Sequence, residues 1–195
     1  MNAAEWYSAR AGGIVTYILL TAVVLVGLAM SGRERIDGWP RFALEDVHRF
    51  LGALTGLFIS LHVFTLAVDT EANLPLGSLI VPFVSAYRPF WTGIGIVAAE
   101  LLLALAVANH YRSSISYRTW RRLHYLNFAI WIAATGHGIG AGTDTGSFPF
   151  AVVYGAAIAS VVALTARRVL RVSGRGQPKS GESAPAMASR YSAPS

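Results

Sequence analysis

The sequence contains no cysteine among its 195 residues. This absence excludes disulfide bonds, thiolate-ligated metal ions and iron–sulfur clusters, because all of them need cysteine sulfur. Charged residues are also scarce, at 13% of the chain, which is about half their share in a typical soluble domain. Together with 54% apolar residues and a mean hydropathy of +0.48, this scarcity predicts an all-α integral membrane protein.

Five charge-poor stretches approach the length of about 20 residues that a membrane helix requires. They predict a bundle of five transmembrane helices, over about residues 12–30, 47–68, 89–109, 119–140 and 148–169. Between the second and third helices, an apolar run that is too short to span and contains a proline predicts an outer interfacial or re-entrant segment. The membrane domain is expected over residues 1–172. Residues 173–195, rich in Gly, Ser and Pro, are expected to form a disordered cytoplasmic tail.

The distribution of basic residues predicts the topology. They follow the first predicted helix, precede the fourth and follow the fifth: Arg33, Arg35, Arg41, Arg49, Arg112, Arg118, Arg121, Arg122, Arg167, Arg168, Arg171, Arg175, Lys179 and Arg190. Only Arg10 and Arg88 fall on the other side. Since short cytoplasmic loops retain Lys and Arg, we expect a multi-pass plasma-membrane protein with its N-terminus outside and its C-terminus in the cytoplasm. The net charge of +6 therefore indicates topology and contact with membrane lipid, not nucleic-acid binding. The N-terminus has no basic leader or clear cleavage site, so the first helix is expected to be retained.

Two pairs of histidines occur on two of the apolar stretches. His48 and His62 are 14 residues apart, and His124 and His137 are 13 apart. In the predicted topology the two helices run parallel, and each spacing corresponds to roughly 20 Å along a helix. His48 is then level with His124 on the cytoplasmic side, and His62 with His137 towards the outside. One imidazole from each helix at each level is a geometry that can hold a haem by both axial positions.

The angular positions of the histidines around their helices support this arrangement less well than their depths do. His62 lies only about 40° from His48 around an ideal helix, whereas His137 lies about 140° from His124. The fourth helix must therefore deviate from ideality, and Gly136 and Gly138 are where the sequence permits it. Any single histidine has a simpler interpretation, as a hydrogen-bonding or cavity-lining residue.

Other residues leave alternatives open. His110 is expected at the membrane interface and not as a ligand. Gly52 and Gly56 suit either a flat macrocycle against their helix or a helix-packing seam. Glu100 lies near the middle of the third predicted helix, where a carboxylate is costly. We expect it to be protonated or hydrogen-bonded, facing a quinone, handling protons or contacting another helix.

The residues resemble the ferric reductase-like transmembrane domain family. The resemblance is carried by Ser116–Leu126 with its Trp-Arg-Arg-Leu-His element, by His137, by His48-Arg49 with His62, and by Ala9-Arg10-Ala11-Gly12. The family includes the membrane cores of NADPH oxidases and ferric reductases, and the haem-binding membrane subunit of a bacterial methionine sulfoxide reductase. The resemblance covers about residues 5–170.

The resemblance implies two b-type haems, each ligated by two histidines, that carry electrons from the cytoplasmic to the outer side. His48 and His124 would ligate the inner haem, and His62 and His137 the outer one. Arg10 would lie near the outer haem. Arg49 and Arg121, or Arg122, are expected at the inner propionates, although topology and lipid headgroups explain the inner arginines equally well.

The resemblance also implies partners. A flavin domain follows the last helix in self-sufficient members, but here only a short tail follows. The donor is therefore expected to be a separate flavoprotein reductase or a quinol, with quinone or FAD supplied through a partner. An outer-face acceptor protein is a further expected partner, so the chain would be the haem-binding membrane subunit of an oxidoreductase. Leu66 stands where oxidase members often have another histidine, which argues against superoxide production.

Two other interpretations remain open. The same four histidines suit a metal-ion or proton transporter without haem. A purely structural membrane subunit is the third interpretation.

Overall fold

The structure is a computed structural model that describes residues 3–31, 39–69 and 74–174. Its helices are α1 (Ala3–Ser31), α2 (Arg41–Val68), α3 (Leu76–Ile80), α4 (Pro89–His110), α5 (Tyr117–His124), α6 (Leu126–Ala141) and α7 (Phe148–Gly174), with a 3₁₀ turn at Arg112–Ser114. No strand occurs in these three ranges. The predicted tail after residue 174 and the topology signals Arg33, Arg35, Arg175, Lys179 and Arg190 lie outside the described residues.

Four helices are long and apolar enough to cross a membrane: α1 from Ser8, α2, α4, and α7 as far as Arg171. Their large apolar side chains face outward to an extent that a soluble domain rarely shows. On α2, for example, Phe50 is 65% exposed, Leu57 63% and Phe64 60%. Such surfaces are typical of helices that face lipid, and the prediction of an all-α membrane protein is confirmed.

The helices begin where the sequence supplies start signals. Pro40 and Pro75 immediately precede α2 and α3, and Pro89 is the first residue of α4, where a missing backbone N–H costs nothing. At α5 the Ser116 hydroxyl caps the helix by accepting a hydrogen bond from the Thr119 backbone N–H at 3.2 Å.

The fourth predicted helix is divided into α5 and α6 at Tyr125. The Tyr125 N–H is shared between the Arg121 and Arg122 carbonyls, and the Phe128 N–H donates to the Tyr125 carbonyl three residues back. Each step of such a tightened turn rotates the chain by about 120° instead of about 100°. The deviation expected between His124 and His137 therefore exists. Its predicted location was wrong, because α6 continues through Gly136 and Gly138 to Ala141.

The bundle is built from two closely packed helix pairs. Helix α2 packs along α1, and α4 packs along α6, while α1 also contacts α6 and α7. Between the described parts of α2 and α6 there is little direct contact. The core lies where α1, α4, α6 and α7 meet, and its buried members are Tyr17, Leu20, Val24, Leu28, Ala98, Leu105, Ile130, Trp131, Ala157 and Val161.

Two hydrogen bonds connect α1 to α6 inside this core. The Trp131 indole Nε1–H donates to the Thr21 hydroxyl at 3.0 Å, and the Thr135 hydroxyl approaches the Tyr17 hydroxyl at 3.3 Å. In a membrane, apolar side chains pack about as favourably against lipid as against another helix. Hydrogen bonds such as these therefore fix the register of the two helices.

The two ends of the bundle differ in charge. The basic end is where α1 and α4 finish and α2 and α5 begin, and it carries the described arginines Arg41, Arg49, Arg112, Arg118, Arg121, Arg122, Arg167, Arg168 and Arg171. There Arg168 at the end of α7 donates to the Ser31 hydroxyl at the end of α1. The opposite end, called the cavity end below, carries Arg10 and Arg88. Helices α2 and α6 both run from the basic end to the cavity end.

The connection between α2 and α4 lies at the cavity end. Its short helix α3 exposes Leu76 and Ile80, each 65% exposed, while Ser78 and Ser85 are buried. Phe83 has a positive φ of 68° and its ring packs against Gly93 of α4, which has no Cβ to block it. Residues 74–88 thus form a folded cap with an apolar outer surface.

Candidate functional site

At the basic end, His48 on α2 faces His124 at the end of α5. Their ring centroids are 6.0 Å apart and the ring planes are inclined at 59°. The pairing of His48 with His124 that the spacing predicts is therefore present as a direct approach of two imidazoles.

The His48 ring lies against α1. A Cβ at Gly27 would come within 3.3 Å of His48 Cε1, so the absence of a side chain there makes room for the ring. The His48 Nδ1 is buried and makes no hydrogen bond of good geometry with the described residues. The backbone of Val23, one turn before Gly27, lies near this ring. The Nδ1 edge of His48 thus faces α1.

His124 is held from the other side by aromatic stacking. The Trp120 ring stacks on it with centroids 5.1 Å apart and planes inclined at 24°. The guanidinium of Arg112 lies 4.4 Å from the Trp120 ring centre, and the indole N–H donates to the Asn109 side-chain oxygen at 2.8 Å. A cation, an indole and an imidazole therefore form one column at the basic end.

At the cavity end, His62 is fixed to α1 by its backbone. Its Nδ1 lies 2.8 Å from the Ala9 carbonyl oxygen, which can only accept, so Nδ1 carries the hydrogen. Two glycines make this approach available: a Cβ at Gly13 would lie 3.2 Å from His62 Cε1, and one at Gly12 would lie 3.5 Å from His62 Cα.

His137 on α6 is fixed to α4 in the same way. Its Nδ1 donates to the Trp91 carbonyl at 2.9 Å, and the ring sits directly against Gly95, where any side chain would collide with it. At both positions the backbone of a neighbouring helix holds Nδ1. This leaves Nε2 as the nitrogen available to a ligand.

His62 and His137 line one cavity of about 530 Å³. Its wall combines apolar side chains of α1, α2, α4 and α6 with a few polar ones, including Arg10, Asp69, Ser85 and Asp144. The connection between α2 and α4 contributes Leu74, Leu79, Ser85 and Tyr87. This size and composition are typical of a site for a small organic ligand or cofactor.

The predicted arginines differ in their positions. Arg10 lines the cavity and forms an ion pair with Asp144. Arg49 is exposed and 3.9 Å from Asp46 of its own helix, and Arg121 is exposed with its guanidinium 3.2 Å from the Tyr125 hydroxyl. Arg10 thus shares a cavity with His62 and His137.

Arg88 and His110 have other surroundings. Arg88 donates to the Gly140 carbonyl at 2.6 Å and so ties the start of α4 to the end of α6. His110 packs its ring edge-on against Tyr111, 5.0 Å away, in the basic end. Within the described ranges there is no group of three or more His, Asp or Glu side chains arranged to hold a metal ion.

Three glycines lie directly against the histidine rings. Gly52 and Gly56 have open space in front of them, whereas Gly13, Gly27 and Gly95 lie against His62, His48 and His137. The sequence contains one signal that could have identified Gly13 and Gly27. Gly13 and Gly27 are 14 residues apart, and so are His48 and His62. Equal spacing on two antiparallel helices places each glycine level with one histidine.

Comparison with known proteins gives one match. The family model described as ferric reductase like transmembrane component matches residues 12–135, more than half of the chain. The matched range contains His48, His62 and His124, and it ends two residues before His137. No curated protein and no solved structure matches the chain significantly. With its membrane-spanning helices and two histidine pairs, this multi-pass membrane protein belongs to the ferric reductase like transmembrane component family, whose general function is transmembrane electron transfer.

Proposed function

We propose that the chain conducts electrons across the membrane through two b-type haems. His48 and His124 ligate the haem at the basic end, and His62 and His137 ligate the one at the cavity end. The observation that carries the proposal is the placement of the histidines: two from different helices at each of two levels.

The spacing of the basic-end pair supports a role in which both rings would bind one metal ion. Each ring nitrogen would bind the metal ion at about 2 Å, so two imidazoles that share one ion would have ring centroids about 6 Å apart. His48 and His124 have this separation, 6.0 Å. The donor set also fits, because two neutral imidazoles are a common axial pair for haem iron.

The orientation of the cavity-end pair supports the same role. The Nδ1–H groups of His62 and His137 donate to the Ala9 and Trp91 carbonyls. Such a bond sets the tautomer of a ligating histidine and makes its Nε2 more basic. The cavity between the two rings lies in the size range of cofactor sites. Arg10 on its wall supplies a cation for an anionic propionate, with Asp144 as its present partner.

Haem held by these histidines would supply reversible one-electron chemistry at its iron. The residues of the chain set the distance between the two levels and the environment between them. Helix α2 is unbroken between His48 and His62, so it holds the two levels about 21 Å apart along its axis. Buried residues of α1 and α6, such as Val24 and Ile130, lie between the two levels, and this apolar packing disfavours water and ions there.

The charge distribution supports the membrane orientation in this proposal. The basic end carries nine of the described arginines, and short basic loops remain in the cytoplasm. In this proposal electrons enter at His48 and His124 from a separate flavoprotein or a quinol. They leave at His62 and His137 to an acceptor outside the plasma membrane. The chain is then the membrane subunit of an oxidoreductase.

A reduced-minus-oxidised absorption spectrum of the purified protein tests the proposal. We expect b-type bands and two haems per chain by haem extraction. His48→Ala and His124→Ala should remove the same haem, and His62→Ala and His137→Ala the other. His110→Ala is the matched control and should retain both. A colourless protein that binds a divalent ion would favour the histidine-lined transporter instead.

A further inference from the structure

Glu100 lies on the outer surface of the bundle. It is five residues from Gly95, which faces His137, and five from Leu105, which is buried in the core. At about 100° per residue each of these lies about 140° away around α4, so Glu100 is on the side opposite the core. Its side chain is exposed, and it forms no hydrogen bond or ion pair within the described part of the chain.

Glu100 is also near the middle of the membrane. It follows Pro89 by 11 residues and precedes His110 by 10, which places it about 15 Å from either end of α4, in a hydrocarbon core of about 30 Å. Water does not reach this depth, and a polar group without a partner is strongly disfavoured there. The position therefore requires a hydrogen-bonding partner from outside this copy of the bundle.

The residues around Glu100 form a continuous outward strip along α4. Leu103 is 67% exposed, Val107 is 50% exposed, and Ala104 is exposed one turn after Glu100. A small residue beside a polar one is typical of transmembrane helix interfaces, because it lets a second backbone come close enough for the side chains to bond. We call this set, Glu100, Leu103, Ala104 and Val107, the α4 strip.

We propose that the α4 strip is the interface of a homodimer in which the Glu100 side chains of two copies hydrogen-bond to each other. An uncharged carboxyl group both donates and accepts, so two of them are mutually complementary. A twofold interface sets one patch against the same patch of the second copy. A second copy thus supplies, at the matching depth, the partner that Glu100 lacks. This interface is independent of whether haem is bound.

Cysteine cross-linking in the membrane tests the contact. The natural chain has no cysteine, so Ala104→Cys or Val107→Cys introduces the only thiol. Under mild oxidation each should give a disulfide-linked dimer, since the bond forms only where the two Cα atoms approach within about 7 Å. The matched control is Leu57→Cys on α2, a lipid-facing position that is 63% exposed. It should give at least fivefold less dimer.

A second pair of variants tests the carboxyl group. In the Val107→Cys background, Glu100→Gln keeps both a donor and an acceptor and should retain at least half of the dimer. Glu100→Leu removes both and should reduce the dimer at least fivefold, while circular dichroism shows unchanged helix content. Equal cross-linking at Leu57→Cys, a monomer in native mass spectra, or an unchanged dimer in Glu100→Leu would each overturn the proposal.

Discussion

His62 on α2 is bonded to α1 through the carbonyl oxygen of Ala9, 2.8 Å from its Nδ1. His137 on α6 repeats this relationship with the Trp91 carbonyl on α4. In both cases the partner is a backbone group of the adjacent helix, and a glycine makes the approach sterically available. Helix packing therefore orients the two cavity-end histidines.

Enlarging these glycines should affect one histidine pair at a time. Gly13→Leu places a side chain against His62, and Gly27→Leu places one against His48, where a Cβ alone would already lie 3.2 and 3.3 Å from the rings. We expect Gly13→Leu to lose the cavity-end haem and Gly27→Leu the basic-end haem, each halving the haem content. Gly155→Leu on α7, with open space around it, is the control. Loss of both haems in either variant would contradict the pairing.

Arg112 should tune the basic-end haem. Its guanidinium lies over Trp120, which stacks on His124, so its positive charge favours the reduced iron. Removing one partly screened charge at this range should make the midpoint potential roughly 10–50 mV more negative in Arg112→Gln. A redox titration measures it. Arg118→Gln removes the same charge from the same end of the bundle, and an equal shift there would argue against a specific role for the column.

The bond between Trp131 and Thr21 should contribute to stability. Thr21→Val leaves a buried indole N–H without its acceptor, which should lower the free energy of unfolding by about 1–2 kcal/mol. Trp131→Phe made in the Thr21→Val background removes the unpaired donor. We then expect the double variant to lose less free energy of unfolding in mixed micelles than the sum of the losses in the two single variants. Strictly additive effects would show that the two side chains do not depend on each other.

Arg10 and Asp144 should act oppositely on the cavity-end haem. Arg10→Gln removes the cation available to a propionate, and the loss of one charge-assisted hydrogen bond corresponds to roughly 10- to 100-fold weaker haem binding. Asp144→Asn removes the competing anion and should leave the affinity equal or higher. Haem transfer to apomyoglobin measures both. Weaker binding in Asp144→Asn would indicate that the ion pair itself shapes the site.

Helix positions could be predicted from the sequence because lipid imposes a length and a composition on each crossing. The apolar run over residues 89–109 corresponds to α4, and that over 148–169 to α7. The pairing of His48 with His124 was also predictable, because helix direction and spacing together set the depth of each residue.

Other features depend on contacts between helices, which the sequence of a single segment does not reveal. The turn at Tyr125 arises from shared backbone hydrogen bonds, and glycines further along the helix suggested a different location. The roles of the Ala9 and Trp91 carbonyls have no sequence signal, since every residue carries a carbonyl. Arg49 and Arg121, exposed in the basic end, pair with Asp46 and Tyr125 beside them.

The sequence by itself determined that this is a helical membrane protein with two levels of histidines, because hydrophobic length and helical rise are local quantities. Only the tertiary structure decided which backbone groups hold His62 and His137, which glycines receive the rings, and that Glu100 faces outward. Those facts depend on how neighbouring helices are rotated against one another, and that rotation is set by packing across the whole bundle.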